Sequence, residues 1–155
     1  MIILTQVLVH YGFLKALNLP IALTSFNFFL LITATVLIAA AGYVINDLND
    51  IDSDIINKPD KSYIPSTISE KSAFNYYLVL NISGVGIGFF LCSRMGLSNF
   101  TTLFVLISAL LYVYASFIKR VIFIGNLLVS ALVASSIFIL VVFDLLPLLR
   151  INQDE

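Results

Sequence analysis

Nine carboxylates stand in this 155-residue chain, and six of them, Asp47, Asp50, Asp52, Asp54, Asp60 and Glu70, crowd into one stretch. The densest part reads Asn46-Asp47-x-x-Asp50-x-x-x-Asp54. On a helix at about 100° per residue, Asp50 lies near −60° from Asp47, Asp54 near −20° and Asn46 near −100°, an arc of about 100°. Asp52 falls about 140° away, off that face. Three carboxylates on one face repel each other and raise one another's pKa. A bound cation is the simplest compensation, and oxygen-only donors suit Mg2+, Mn2+ or Ca2+ rather than Zn2+. The Gly-centred twelve-residue loop and closing Glu of an EF-hand are missing. Mg2+ usually takes few protein carboxylates and completes its shell with water and substrate phosphate. The chemistry expected of Asn46, Asp47, Asp50 and Asp54 is therefore metal-mediated capture of a phosphate or diphosphate. A solvated acidic loop is the plain alternative.

The elements that must position these residues are set by composition. Sixty per cent of the residues are apolar and only 11 % charged, with a mean hydropathy of +1.04. A soluble domain carries about 25 % charged residues to cover its surface. The composition excludes a soluble, disordered or disulfide-built domain. A net charge of −1 argues against nucleic acid as a partner. The expectation is an integral, multi-pass membrane protein of all-α class, a polytopic transmembrane bundle of about five helices. A span needs about 20 apolar residues, and the runs 25–45, 73–92, 101–117 and 121–143 qualify. Thr24 or Ser25, and Ser69 or Ser72, are expected N-caps. Asp144 and Pro147 are expected to end the last span. The run 1–14 is short and reads as the second half of a clipped helix, so the chain is expected to be one truncated transmembrane domain. The motif loop, residues 46–70, is expected on the cytoplasmic side. That puts five basic residues (Lys58, Lys61, Lys71, Lys119, Arg120) inside against three (Lys15, Arg94, Arg150) outside.

The aspartate pattern resembles the first aspartate-rich motif of the UbiA-type intramembrane prenyltransferases, N-D-x-x-D-x-x-x-D. Asn57-Lys58-Pro59-Asp60-Lys61 is similar to the family's N-[KR]-P-x-[KR] continuation, and Pro65-Ser66-Thr67-Ile68-Ser69 to its lead into the third helix. Tyr114 and Lys119 resemble the tyrosine and lysine closing the fourth helix, one residue further apart than usual. Gly125-Asn126 matches the opening of the fifth. The Leu4-Thr5-Gln6 start and the Tyr43 to Asp47 segment resemble the geranylgeranylglycerol-phosphate geranylgeranyltransferase branch.

The resemblance implies a helix bundle like the N-terminal half of a nine-helix fold, and transfer of an isoprenyl group from an allylic diphosphate to a lipid or aromatic acceptor. It implies Mg2+ as cofactor, held by Asn46, Asp47, Asp50 and Asp54, with Asp47, Asp50 and Asp54 catalytic. Asn46, Lys58, Lys61, Tyr114, Lys119 and Arg120 would bind substrate. A second aspartate-rich motif of the family has no counterpart after Asp54. A second chain supplying further helices is an expected partner, and a catalytically inactive fragment that binds metal or assembles with a partner is the competing reading. A metal-ion transporter would need acidic residues near mid-bilayer, and none falls inside the expected spans. His10 has no identifiable partner and reads as a packed or interfacial histidine. Gly84 and Gly88, four apart, read as a close helix seam.

Overall fold

The computed structural model describes residues 1–57 and 63–151, with side chains described at all of these except 120, 122 and 149–151. The elements are helical: α1 (Ile2–Lys15), α2 (Ser25–Asn49), α3 (Ile51–Asn57), α4 (Glu70–Arg94), α5 (Thr101–Ser116) and α6 (Ile122–Ile151), with single 3₁₀ turns at Ser98–Phe100 and Ile118–Arg120. Four helical segments, Ser25–Asn49, Glu70–Arg94, Ser98–Ser116 and Phe123–Leu148, are long and apolar enough to cross a bilayer. Large side chains such as Phe29, Phe123, Leu127 and Phe138 stand exposed around the outside, the surface a lipid environment accepts. The chain is an integral membrane protein.

The caps follow the local sequence. The Thr24 hydroxyl accepts from the Asn27 N–H at 3.2 Å, and the Ser69 hydroxyl from the Ser72 N–H at 3.2 Å. After α4 the chain turns at Gly96, whose φ of +69° suits a residue without Cβ. The Leu97 N–H then returns to the Cys92 carbonyl at 2.8 Å.

Small residues set the helix spacing, because lipid tails supply no hydrophobic drive to hold helices together. The most extensive helix contact is α2 with α4, across Ala34, Ile38 and Gly84. A Cβ on Gly84 would lie 2.7 Å from Ile38 Cγ1, and one on Gly88 2.6 Å from the Phe104 ring. The Gly84–Gly88 seam is thus a true close approach, reaching both α2 and α5. Phe104 in turn meets Phe143 of α6 edge-on, ring centres 6.0 Å apart. Leu31, Leu91, Cys92, Ile139 and Leu140 complete the core.

Two expectations about α6 and α1 need correction. The last helix does not stop at Asp144 or Pro147 but continues to Ile151, with Pro147 inside it. Pro147 loses the bond to the carbonyl four residues back and crowds it, yet the helix continues past it, and Asp144 is no breaker here because its carboxylate is internally satisfied. His10 supplies that partner: Nδ1 and Asp144 Oδ2 are 2.7 Å apart, both residues buried. Asp144 Oδ1 accepts from the Leu23 N–H at 3.1 Å, and the Asp144 carbonyl accepts from the Ala22 N–H at 3.0 Å. His10 also stacks on Phe28, ring centres 4.2 Å apart. An acidic residue therefore does lie inside a span, and His10 is not partnerless. Gln6, His10 and Leu14 are the buried residues of α1, a four-residue spacing that lays one face of the helix against the bundle. Along α1 the backbone passes into wider π-type turns over Leu8–Lys15.

Candidate functional site

Lys119 reaches the aspartate segment from the 3₁₀ turn between α5 and α6. Its ammonium lies 2.5 Å from Asp50 Oδ1 and 3.4 Å from Asn46 Oδ1. The Asn46 amide donates from Nδ2 to Asp50 Oδ2 at 3.0 Å. That leaves each Asp50 oxygen with a named partner. The pair is sheltered, with Lys119 at 14 % and Asp50 at 28 % side-chain exposure. Gly125 makes the arrangement possible from behind. A Cβ there would come within 3.3 Å of the Ile118 carbonyl and 3.4 Å of Lys119 Cα, so the first turn of α6 can lie directly against the lysine's own turn.

The helix does not run straight through the motif. α2 ends at Asn49; Asp50 takes φ −103° and ψ 2°, and a new helix begins at Ile51. The break has an electrostatic reason. Carboxylates are disfavoured at a helix C-terminus and favoured in a first turn. Restarting the helix turns Asp52 and Asp54 into first-turn residues of α3. The straight-helix phasing therefore fails beyond Asp50. Asp52, expected off the active face, lines a polar cleft of about 480 Å³ together with Asn49, Asp50, Ser53 and Lys119. Asp47 lies exposed on the last turn of α2, and Asp54 is half-buried on α3. Among the described residues, no group of three His, Cys, Asp or Glu side chains is placed to hold a metal ion. The donor set itself is all hard oxygen: carboxylates of Asp50 and Asp52, the Asn49 amide oxygen and the Ser53 hydroxyl around one cleft, with the Asn46 amide beside Asp50. That chemistry fits Mg2+. Lys58 and Lys61 lie outside the described residues, as does the side chain of Arg120.

Beside this polar cluster an apolar cavity of about 300 Å³ opens between α2, α5 and α6. Asn46, Tyr43 and Tyr114 line it next to the cluster, while Ile38, Gly42, Phe104, Leu111 and Ile139 form much of its wall. Asn46 belongs to both cavity and cluster. Further in, Thr35, Ser135 and Ser136 add hydroxyls to the wall. The buried Gln6 stands behind them, accepting from Thr35 Oγ1 at 3.2 Å and donating to the Ser136 carbonyl at 3.0 Å. Neither this polar lining nor the His10–Asp144 pair was legible in the sequence. Their partners lie up to 134 positions apart, beyond any periodicity.

An acid–amide–lysine cluster at the mouth of an apolar cavity, inside a membrane helix bundle, suits a ligand with an anionic head and a hydrocarbon tail. The sequence comparisons define the class. The UbiA prenyltransferase family profile matches residues 7–144, and the chain belongs to that family. A digeranylgeranylglyceryl phosphate synthase of Methanococcoides burtonii is 33 % identical over 136 residues, covering 86 % of this chain and 46 % of the relative. Proteins of the same name from Methanococcus aeolicus (36 % identical; 75 % of this chain, 41 % of the relative) and Saccharolobus solfataricus (38 % identical; 66 % and 34 %) match as well. The chain spans less than half the length of these curated relatives. No solved structure matches it significantly.

Proposed function

We propose that the chain carries the donor-binding half-site of a prenyltransferase that moves a geranylgeranyl group from its allylic diphosphate to a lipid acceptor, geranylgeranylglyceryl phosphate by analogy with the named relatives. One observation carries the reading: Asn46 joins a charged cluster able to hold a diphosphate to an apolar cavity able to hold its tail. In this reading Asp50, with Asp47, Asp54 and Asn46, holds Mg2+; Asp52 is added by its place in the cleft. When bound, the ion neutralises the diphosphate and stabilises its negative charge as it departs.

The protein's own groups do the rest. Lys119 contributes a charge-assisted hydrogen bond to the departing diphosphate. Lys58, Lys61 and Arg120 are proposed to add positive charge from the same loops. Cleavage of the allylic C–O bond sends the electron pair to the diphosphate. The acceptor hydroxyl oxygen then bonds the allylic carbon and gives its proton to the released diphosphate. The cavity wall keeps water from the cation, and Tyr43 and Tyr114, which line the cavity, are proposed to stabilise it through their ring faces. By the distribution of basic residues, the cluster faces the cytoplasm. Turnover is proposed to need a further acidic motif, supplied by additional helices or by a second polypeptide.

The direct test uses membranes in which the chain is overproduced from its complete gene. Radiolabelled geranylgeranyl diphosphate, Mg2+ and geranylgeranylglyceryl phosphate should yield labelled lipid, and Asp50→Ala should abolish it. Absence of labelling above membranes without the chain, when the gene or a co-expressed polypeptide supplies the further acidic motif, would contradict the assignment.

A further inference from the structure

The ammonium nitrogen of Lys119 occupies a point on which two oxygens converge, Asp50 Oδ1 at 2.5 Å and Asn46 Oδ1 at 3.4 Å. Two hard oxygens trained on one positive centre are also what a divalent cation seeks. The other Asp50 oxygen is engaged by the Asn46 amide; each carboxylate oxygen keeps a further lone pair, but a cation that takes the point shared by Asp50 Oδ1 and Asn46 Oδ1 must displace the ammonium. The amide holds Asn46, on the last turn of α2, and its C-cap Asp50 together, four residues apart. Lys119 is the movable one: its four-carbon stem carries rotatable bonds, and the cleft of about 480 Å³ beside it gives the ammonium room to swing.

Resting on the donor-binding reading above, we propose that Lys119 is an exchangeable counter-ion, its ammonium and a divalent cation competing for Asp50 Oδ1, with the displaced ammonium taken up by the diphosphate. A sheltered ammonium stripped of its carboxylate is costly unless another anion meets it. The diphosphate is that anion. Cation and diphosphate then bind as a coupled pair: each clears the way for the other, and by linkage the coupling is the same in both directions. The lysine is a positioning residue with two stations rather than a fixed phosphate contact.

The test measures Mn2+ binding to the purified full chain by electron paramagnetic resonance, with and without inorganic pyrophosphate, in the native sequence and in Lys119→Met. Removing a positive charge tightens Mn2+ by simple electrostatics, so the informative quantity is the factor by which pyrophosphate tightens Mn2+. Exchange predicts a factor of at least about tenfold in the native chain, falling severalfold in Lys119→Met, because only direct metal–phosphate attraction is left. An equal factor in both overturns the proposal and leaves the cation site standing. No Mn2+ binding to either chain, with or without pyrophosphate, overturns the cation reading and the proposal together. A second readout needs no destabilising change. Lysines of the native chain are reductively ¹³C-dimethylated, which keeps their charge, and the Lys119 signal is identified by its loss in Lys119→Arg. Saturating Mg2+ should shift that signal. A signal unmoved by Mg2+ contradicts the exchange.

Discussion

At the residue scale, two ionisable pairs among the described residues, Asp50–Lys119 and His10–Asp144, sit at opposite ends of the bundle and do different work. Asp50–Lys119 lies beside a cleft and a cavity mouth. His10–Asp144 is sealed, with side-chain exposures of 2 % and 0 %, and its remaining oxygen is tied to the Leu23 backbone. The sealed pair therefore reads as a clamp holding α1 and the segment before α2 against α6. Breaking a buried pair strands the other partner, whereas replacing both with apolar residues can be nearly neutral. Asp144→Leu alone should lower unfolding stability in detergent by about 3 kcal/mol, and His10→Phe added to it should recover the part due to the stranded histidine, the Leu23 N–H still lacking its acceptor. Equal loss in the single and double variants would show that the pair contributes through packing alone.

At the element scale, glycines decide how closely the helices can lie. Gly88→Val drives a branched side chain into the Phe104 ring and should cost about 1–3 kcal/mol, read as a lower thermal midpoint. Gly125→Val should act differently. It presses on the Ile118 carbonyl and Lys119 backbone, so pyrophosphate binding should weaken by about tenfold or more, the size of one lost charge-assisted bond, with a smaller change in midpoint. Sequence patterning reached the elements well, because runs of about 20 apolar residues admit few other interpretations. It reached the Gly84–Gly88 seam by spacing. It missed the break at Asp50, which depends on the local contest between helix continuation and the dipole. For the same reason it turned Asp52 the wrong way. It ended α6 too early, because the partner that makes Asp144 tolerable is on α1.

At the scale of the whole molecule, the chain is a membrane bundle of the UbiA prenyltransferase family. Its charge is sparse in sequence, and the Asp50–Lys119 cluster lies beside an apolar cavity. Four apolar helices of this length should keep the chain in the pellet on alkaline carbonate extraction; release into the supernatant would contradict membrane insertion. The motif residues Asn46, Asp50 and Lys119 were legible in sequence as a set, though only the fold shows that they touch one another across 69 to 73 positions. The most direct test of the central claim is equilibrium binding of radiolabelled geranylgeranyl diphosphate to the chain in lipid nanodiscs, with and without Mg2+. Saturable binding that strengthens with Mg2+ and falls by about tenfold or more in Asp50→Asn is the result the account predicts. Binding that is indifferent to both Mg2+ and the Asp50 charge would contradict it.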